Sequence, residues 1–128
     1  CQLCSQIIEG PTFTFQNGTI FNINADMNCN TLNCIYVIQC INCPLQYIGE
    51  TSNLRLRVNN HRDHTKKNSG LNVNQHLYQC NLNNETKFKI MPFFKIHRDD
   101  TTLRKHKEIY FIKKFKPALN QFFVQYPQ

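Results

Sequence analysis

Residues 35–39 (Ile-Tyr-Val-Ile-Gln) form a near-continuous apolar run, and residues 46–49 (Gln-Tyr-Ile-Gly) form a second. Short runs rich in β-branched and aromatic residues predict strands, and the bend between them makes a hairpin. From Ser52 the rhythm turns helical: Leu54 and Val58 fall one turn apart, and Ser52 is the expected N-cap. That helix runs to about Lys66, where Asn68-Ser69-Gly70 ends it. A short helix is expected over residues 74–79, then a strand over 88–96. A last helix starts at Thr101 or Thr102 and stops before Pro117. Residues 1–33 are polar and turn-rich, with extended pieces at 12–15 and 19–23 around Asn17-Gly18. They read as a small Cys-containing N-terminal extension, unable to bury a core of its own, ahead of a domain at 34–128. The order β-β-α-α-β-α predicts an α/β (α+β) class, a small three-stranded antiparallel sheet flanked by helices.

Composition sharpens this. At 128 residues with ten phenylalanines, the chain has material for one modest core. No run reaches the roughly 18 apolar residues of a membrane span, so no membrane partner is expected. The first residue is Cys1, which suggests a domain excised from something longer. Charge is polarised: residues 1–50 hold no Lys or Arg, while residues 51–128 hold fifteen against five acids, a formal +10. Such a field suits a polyanion such as DNA. Charge alone fits Lys-rich solvated helices equally well.

Seven cysteines, an odd number, fit a disulfide framework poorly. Two tight Cys-x-x-Cys pairs, Cys1/Cys4 and Cys40/Cys43, fit metal ligation in a reducing compartment. Against that stand two glycosylation triplets at Asn17 and Asn84, which arise easily by chance in an Asn-rich chain. Thirty-three residues after Cys43 begins His76-Leu-Tyr-Gln-Cys80, whose ends lie one helical turn apart. Two thiolates from a bend, with an imidazole and a thiolate from a helix, make a tetrahedral set for structural Zn2+. Such a site would staple the hairpin tip to a later helix. Cys1, Cys4 and Cys29 suggest a second zinc site. Cys34 is either its fourth ligand or a small packed hydrophobe.

Polar side chains also interrupt apolar stripes. Leu54, Arg57, Val58 and His61 share one helix face, and His64 continues the row. Glu108 borders the apolar face of the last helix beside Phe111 and Ile112. Arg57 and Glu108 could form a cross-core ion pair, or they could serve a polar site. Tyr36 and Tyr47 on the neighbouring strands favour the site: with Arg57, His61 and Glu108 they supply what phosphodiester cleavage needs.

These residues resemble the GIY-YIG nuclease superfamily. Cys34-Ile35-Tyr36 stands at the first motif and Tyr47-Ile48-Gly49 at the second. Arg57 falls ten residues after the second tyrosine, and His61 one turn later. Glu108, Pro117 and Asn120 match in KEIYFIKKFKPALN. The inserted Cys-x-x-Cys, the upstream cysteines and GET…LRLRVNNHR make the chain similar to the endonuclease domain of Penelope-like retroelements. Cys34 in place of the motif's glycine and Cys80 in place of a commoner histidine depart from the pattern. The resemblance implies a GIY-YIG-like fold and DNA cleavage with one divalent cation, Mg2+ or Mn2+, held by Glu108. It makes Tyr36 the general base or its orienting group, and Arg57 the stabiliser of phosphate charge. Tyr47 and His61 orient water or phosphate, and Gly49 and Asn120 are structural. It implies a nuclear protein, with a reverse transcriptase domain in the same polypeptide primed by the nick. Arg55, Arg62, Lys66 and Lys67 are expected phosphate contacts. The alternatives are a zinc-stapled DNA-binding module with an inactive nuclease centre, and a secreted disulfide-rich domain.

Overall fold

A computed structural model describes residues 6–8, 10–23 and 25–120 of the chain. Its elements are β1 (Thr12–Thr14), β2 (Ile20–Asn22), β3 (Leu32–Cys40), β4 (Gln46–Asn53), α1 (Leu54–Lys66), α2 (Asn72–Cys80), β5 (Phe88–Lys95), α3 (Thr101–Phe115) and a 3-10 turn at Ala118–Asn120. The main sheet is antiparallel, with order β4-β3-β5. β1 and β2 pair as a separate small hairpin.

The expected elements are present, with two boundary corrections. β4 continues past Gly49 because its pairing with β3 runs on to Leu32↔Asn53. Ser52 therefore lies inside a strand, and Asn53 caps α1 through a side-chain oxygen that accepts from the Leu56 N–H. α2 starts two residues earlier than expected, because the Asn74 side chain accepts from the Leu71 N–H and secures its first turn. α3 begins at Thr101 under an Asp100 cap and ends on Lys116, in the left-handed conformation (φ 50°), before Pro117.

β3 is covered on both sides, which explains its nearly unbroken apolar run. Cys34, Tyr36, Ile38 and Cys40 face α1 and α2, packing with Leu54, Val58, Val73 and Leu77. Ile35 and Val37 face α3 and the β1-β2 hairpin, where Phe13 and Phe15 pack with Phe93, Phe111 and Phe115. The rings of Phe15 and Phe115 stack at 3.8 Å between centroids. Pro92 is tolerated in β5 because that strand is an edge. Opposite it the register shifts between Ile35 and Tyr36, a bulge beside the tyrosine that matters below.

Candidate active site

Tyr36 leaves the middle of β3 and is buried under α1. Its ring crosses the backbone of Gly49, the residue opposite it on β4. A Cβ at position 49 would stand 2.4 Å from the Tyr36 hydroxyl oxygen, so only glycine lets the phenol lie there. His61, on the buried stripe of α1, meets the same hydroxyl with Nε2 at 2.8 Å. Tyr47 lies on the same sheet face and packs edge-on to His61, with centroids 6.0 Å apart. Arg57 is half-buried one turn before His61.

Glu108 arrives from the other side of the sheet. α3 presents Arg104, Glu108, Phe111 and Phe115 along one stripe, and its aromatic end packs on the face opposite α1. Because β4 is an edge strand, the carboxylate reaches round that edge and shares a cleft with Tyr47. Arg104 fixes the approach. Its buried guanidinium bonds Glu50 of β4, Asn33, Asp99 and Thr101 at 2.8–2.9 Å, pinning the start of α3 to the sheet. Asn120 closes the other end: its amide accepts from the Ile48 N–H at 2.7 Å and donates to the Ile48 carbonyl at 2.9 Å. Tyr47, Glu108, Lys113 and Asn120 border a cleft of about 440 Å³ at this edge.

The titrating groups feel one another. Burial holds the Tyr36 phenol well above its ordinary value; Tyr47 adds to this and Arg57 opposes it. Tyr47 is pushed up to about 12, by burial first and then by Glu108. Burial and the neighbouring Glu50 raise Glu108, against the pull of Lys105, the Glu50 N–H and Arg57. His61 is pushed down to about 3 by burial, then by Arg57 and His64. At neutral pH the imidazole is therefore neutral and both phenols are protonated. Arg57 and Glu108 act on each other across the gap, yet they form no ion pair among those of the described residues. The cross-core salt bridge is thus not made. One carboxylate beside Tyr47 in an open cleft fits a hard divalent cation, which takes one or two carboxylates and completes its shell with water and phosphate.

The second cluster is tighter. One ligand atom from each of Cys40, Cys43, His76 and Cys80 lies within 4.8 Å of every other. Cys43 Sγ and His76 Nε2 are 3.3 Å apart. A tetrahedral zinc with ~2.3 Å Zn–S bonds sets its ligands roughly 3.7 Å apart, so the set fits that ion. Burial pushes the Cys80 thiol up to about 12, and its bonds to Cys40 and Cys43 add to this. Burial also opposes ionisation of Cys40. Hydrogen bonds outweigh it there, led by the Asn81 amide at 3.2 Å from the sulfur, and the thiol is lowered.

Other expected residues take no part in the Tyr36–His61 hydrogen bond. Cys34 is fully buried in the core under α1, and burial pushes its thiol up to about 12. Cys29 is buried, with the Arg55 guanidinium 3.2 Å from its sulfur, while Cys1 and Cys4 lie outside the described residues. At about 100° per residue, Arg55, Arg62 and Lys66 share the flank of α1 turned away from Arg57. Arg62 and Lys66 line a separate groove with Tyr78 and Lys87, and Lys67 pairs with Asp63 at 3.2 Å. His64 is exposed beside Ser69. Sequence reasoning missed Asn74, Glu50 and Arg104. Asn74 had a readable signal: it adjoins Val73 and Leu77 on the apolar face of its helix, as Arg57 and His61 do on theirs.

A three-stranded antiparallel sheet, covered by helices, that gathers two phenols, an arginine, a histidine and a glutamate at one edge defines a small nuclease-like domain. A model of the GIY-YIG catalytic domain matches residues 32–121, and the chain belongs to that family. It is thus a DNA endonuclease domain of the GIY-YIG type. The fold is similar to the catalytic domain of the homing endonuclease I-TevI, with TM-score 0.55 and 17% identity over 66% of this chain and 88% of that one. No curated protein matches the chain. Among the described residues no helix is long and apolar enough to cross a membrane.

Proposed function

We propose that this chain nicks DNA in the nucleus as the endonuclease domain of a Penelope-like retroelement, leaving a 3′-hydroxyl that primes a reverse transcriptase in the same polypeptide. The convergence of Tyr36, Tyr47, Arg57, His61 and Glu108 at the β4 edge carries the cleavage reading. The Cys-x-x-Cys inserted between the two motifs, clustered with His76 and Cys80, supports the retroelement reading.

Tyr36 first gives its proton to solvent base, a loss that Arg57 favours and burial opposes. The phenolate then takes a proton from water as the water oxygen bonds to phosphorus; the P–O3′ bond breaks, and the departing 3′-oxygen takes a proton from solvent to become the 3′-hydroxyl. Arg57 then offsets charge on the phosphate, while Tyr47 and His61 fix the positions of water and phosphate. Glu108 would hold one Mg2+ or Mn2+, which when bound neutralises charge on the departing oxygen. Plasmid nicking with magnesium is the test. The Glu108→Ala protein is expected to bind DNA and leave it uncut, and EDTA to stop the wild type. Cutting by Glu108→Ala at the normal rate excludes this site.

The cysteine cluster holds zinc and acts as a clamp between the hairpin tip and α2. Metal analysis is expected to find it bound, and Cys43→Ser to melt at lower temperature. A zinc-free wild type, or an unchanged melt, removes this reading.

A further inference from the structure

We propose that Asn74 is a positioning residue that locks His61 in one tautomer, making the imidazole a hydrogen-bond donor to Tyr36 rather than a base. The inference rests on the reading of Tyr36 as the proton acceptor. Asn74, His61 and Tyr36 are each at most 3% exposed, so water does not compete for their bonds.

The orientation of the Asn74 amide is fixed by chemistry. Its Oδ1 sits 3.1 Å from the backbone N–H of Leu71, which can only donate. The other end is therefore the NH2 group. That Nδ2 lies 3.0 Å from His61 Nδ1 and 3.2 Å from Thr65 Oγ1, with the His61 carbonyl at 3.5 Å. An NH2 group facing a ring nitrogen requires that nitrogen to be bare. A proton on Nδ1 would set two donors against each other in a dry site. The neutral ring thus carries its hydrogen on Nε2, 2.8 Å from the Tyr36 hydroxyl oxygen. Tyr36 accepts from His61, and its own hydrogen points elsewhere.

The consequence is directional. His61 cannot relieve Tyr36 of its proton, because both ring nitrogens are committed. It can stabilise the phenolate once that proton has gone, which is what a tyrosine base requires. Asn74 belongs to α2, a segment between the family's central motifs, and it reaches the site only through the imidazole.

Long-range 1H–15N NMR on the His61 ring reads the tautomer directly. The wild type is expected to show a protonated, pyrrole-type Nε2 and a bare, pyridine-type Nδ1. A protonated Nδ1 overturns the proposal. Asn74→Asp keeps the shape but turns the donor into an acceptor, drawing the proton to Nδ1. Its kcat for plasmid nicking is expected to fall roughly 10- to 100-fold with KM for DNA within about twofold. A reversed ring with unchanged kcat overturns the proposal. Should Asn74→Asp not fold, the wild-type spectrum still decides, and Asn74→Ala is expected to show both tautomers. Tyr36→Phe separates the two claims. Normal nicking by that variant would end the reading of Tyr36 as base while leaving the spectrum to judge the lock.

Discussion

Against one face of the β4-β3-β5 sheet lie Phe13, Phe15, Phe21, Phe93, Phe111 and Phe115, ring on ring. Against the other lie the buried side chains of Tyr36, His61, Thr65 and Asn74, with the thiols of Cys34 and Cys40. The aromatic face is apolar area without direction, which stabilises whatever geometry fills the space. The polar face favours one arrangement, because the Asn74–His61–Tyr36 bonds fix the distances and orientations of their members. Among the described residues no buried side-chain nitrogen or oxygen lacks a partner. The α3 face thus serves stability alone, whereas the α1 face carries both an apolar cluster around Leu54, Val58, Val73 and Leu77 and the reactive groups. Glu108 is the exception, a reactive group supplied by the stabilising helix across the sheet edge.

Three variations test that division. The largest expected effect is Tyr36→Phe. It keeps the ring over Gly49 and removes the hydroxyl, so nicking should fall roughly 10²- to 10⁴-fold, as for loss of a general base. Chemical denaturation should show a loss of only about 1–3 kcal/mol, the cost of leaving the His61 donor unmatched. Next comes Phe93→Ala, expected to cost about 3–5 kcal/mol of stability. Its kcat, measured well below the melting temperature, should match wild type, and a changed kcat would break the division. The smallest effect is acidic weakening of the polar face. The folded His61 pKa of about 3 lies below the ordinary 6.5, so in that window the unfolded chain binds a proton that the folded one refuses. Its contribution is whole above about pH 6.5 and drains as pH falls, roughly 3 kcal/mol by pH 4. Denaturation at pH 7 and pH 4 should show this slope in wild type and a shallower one in His61→Gln.

Much of the molecule was readable from residue order. The strand runs, the α1 stripe of Leu54, Val58 and His61, and the Cys40/Cys43/His76/Cys80 set all take their places. Helix phase says which residues share a face; it does not say which side of a sheet the helix will occupy. Glu108 borders an apolar stripe as expected, yet α3 packs opposite α1, and only the edge position of β4 lets the carboxylate reach Tyr47. The cap of α1 moved from Ser52 to Asn53 because cross-strand pairing to Leu32 outlasted the apolar run. Arg55, Arg62 and Lys66 are basic as the sequence states, but their flank of α1 depends on register within the turn. Asn74 escaped notice because its buried partners, His61 and Thr65, lie on a different helix.

β4 is an outer strand, and outer strands anneal to one another when their main-chain groups stay open. Ile48 is sealed by the Asn120 amide, which imitates a neighbouring strand in both its bonds, and the Glu50 amide faces Glu108. The carboxylate assigned to the cation and the asparagine beside it thus also act as a cuff that keeps two copies of the chain from zipping together. Proteins changed at either position are expected to self-associate more readily, and light scattering beside each nicking assay distinguishes lost chemistry from clumping.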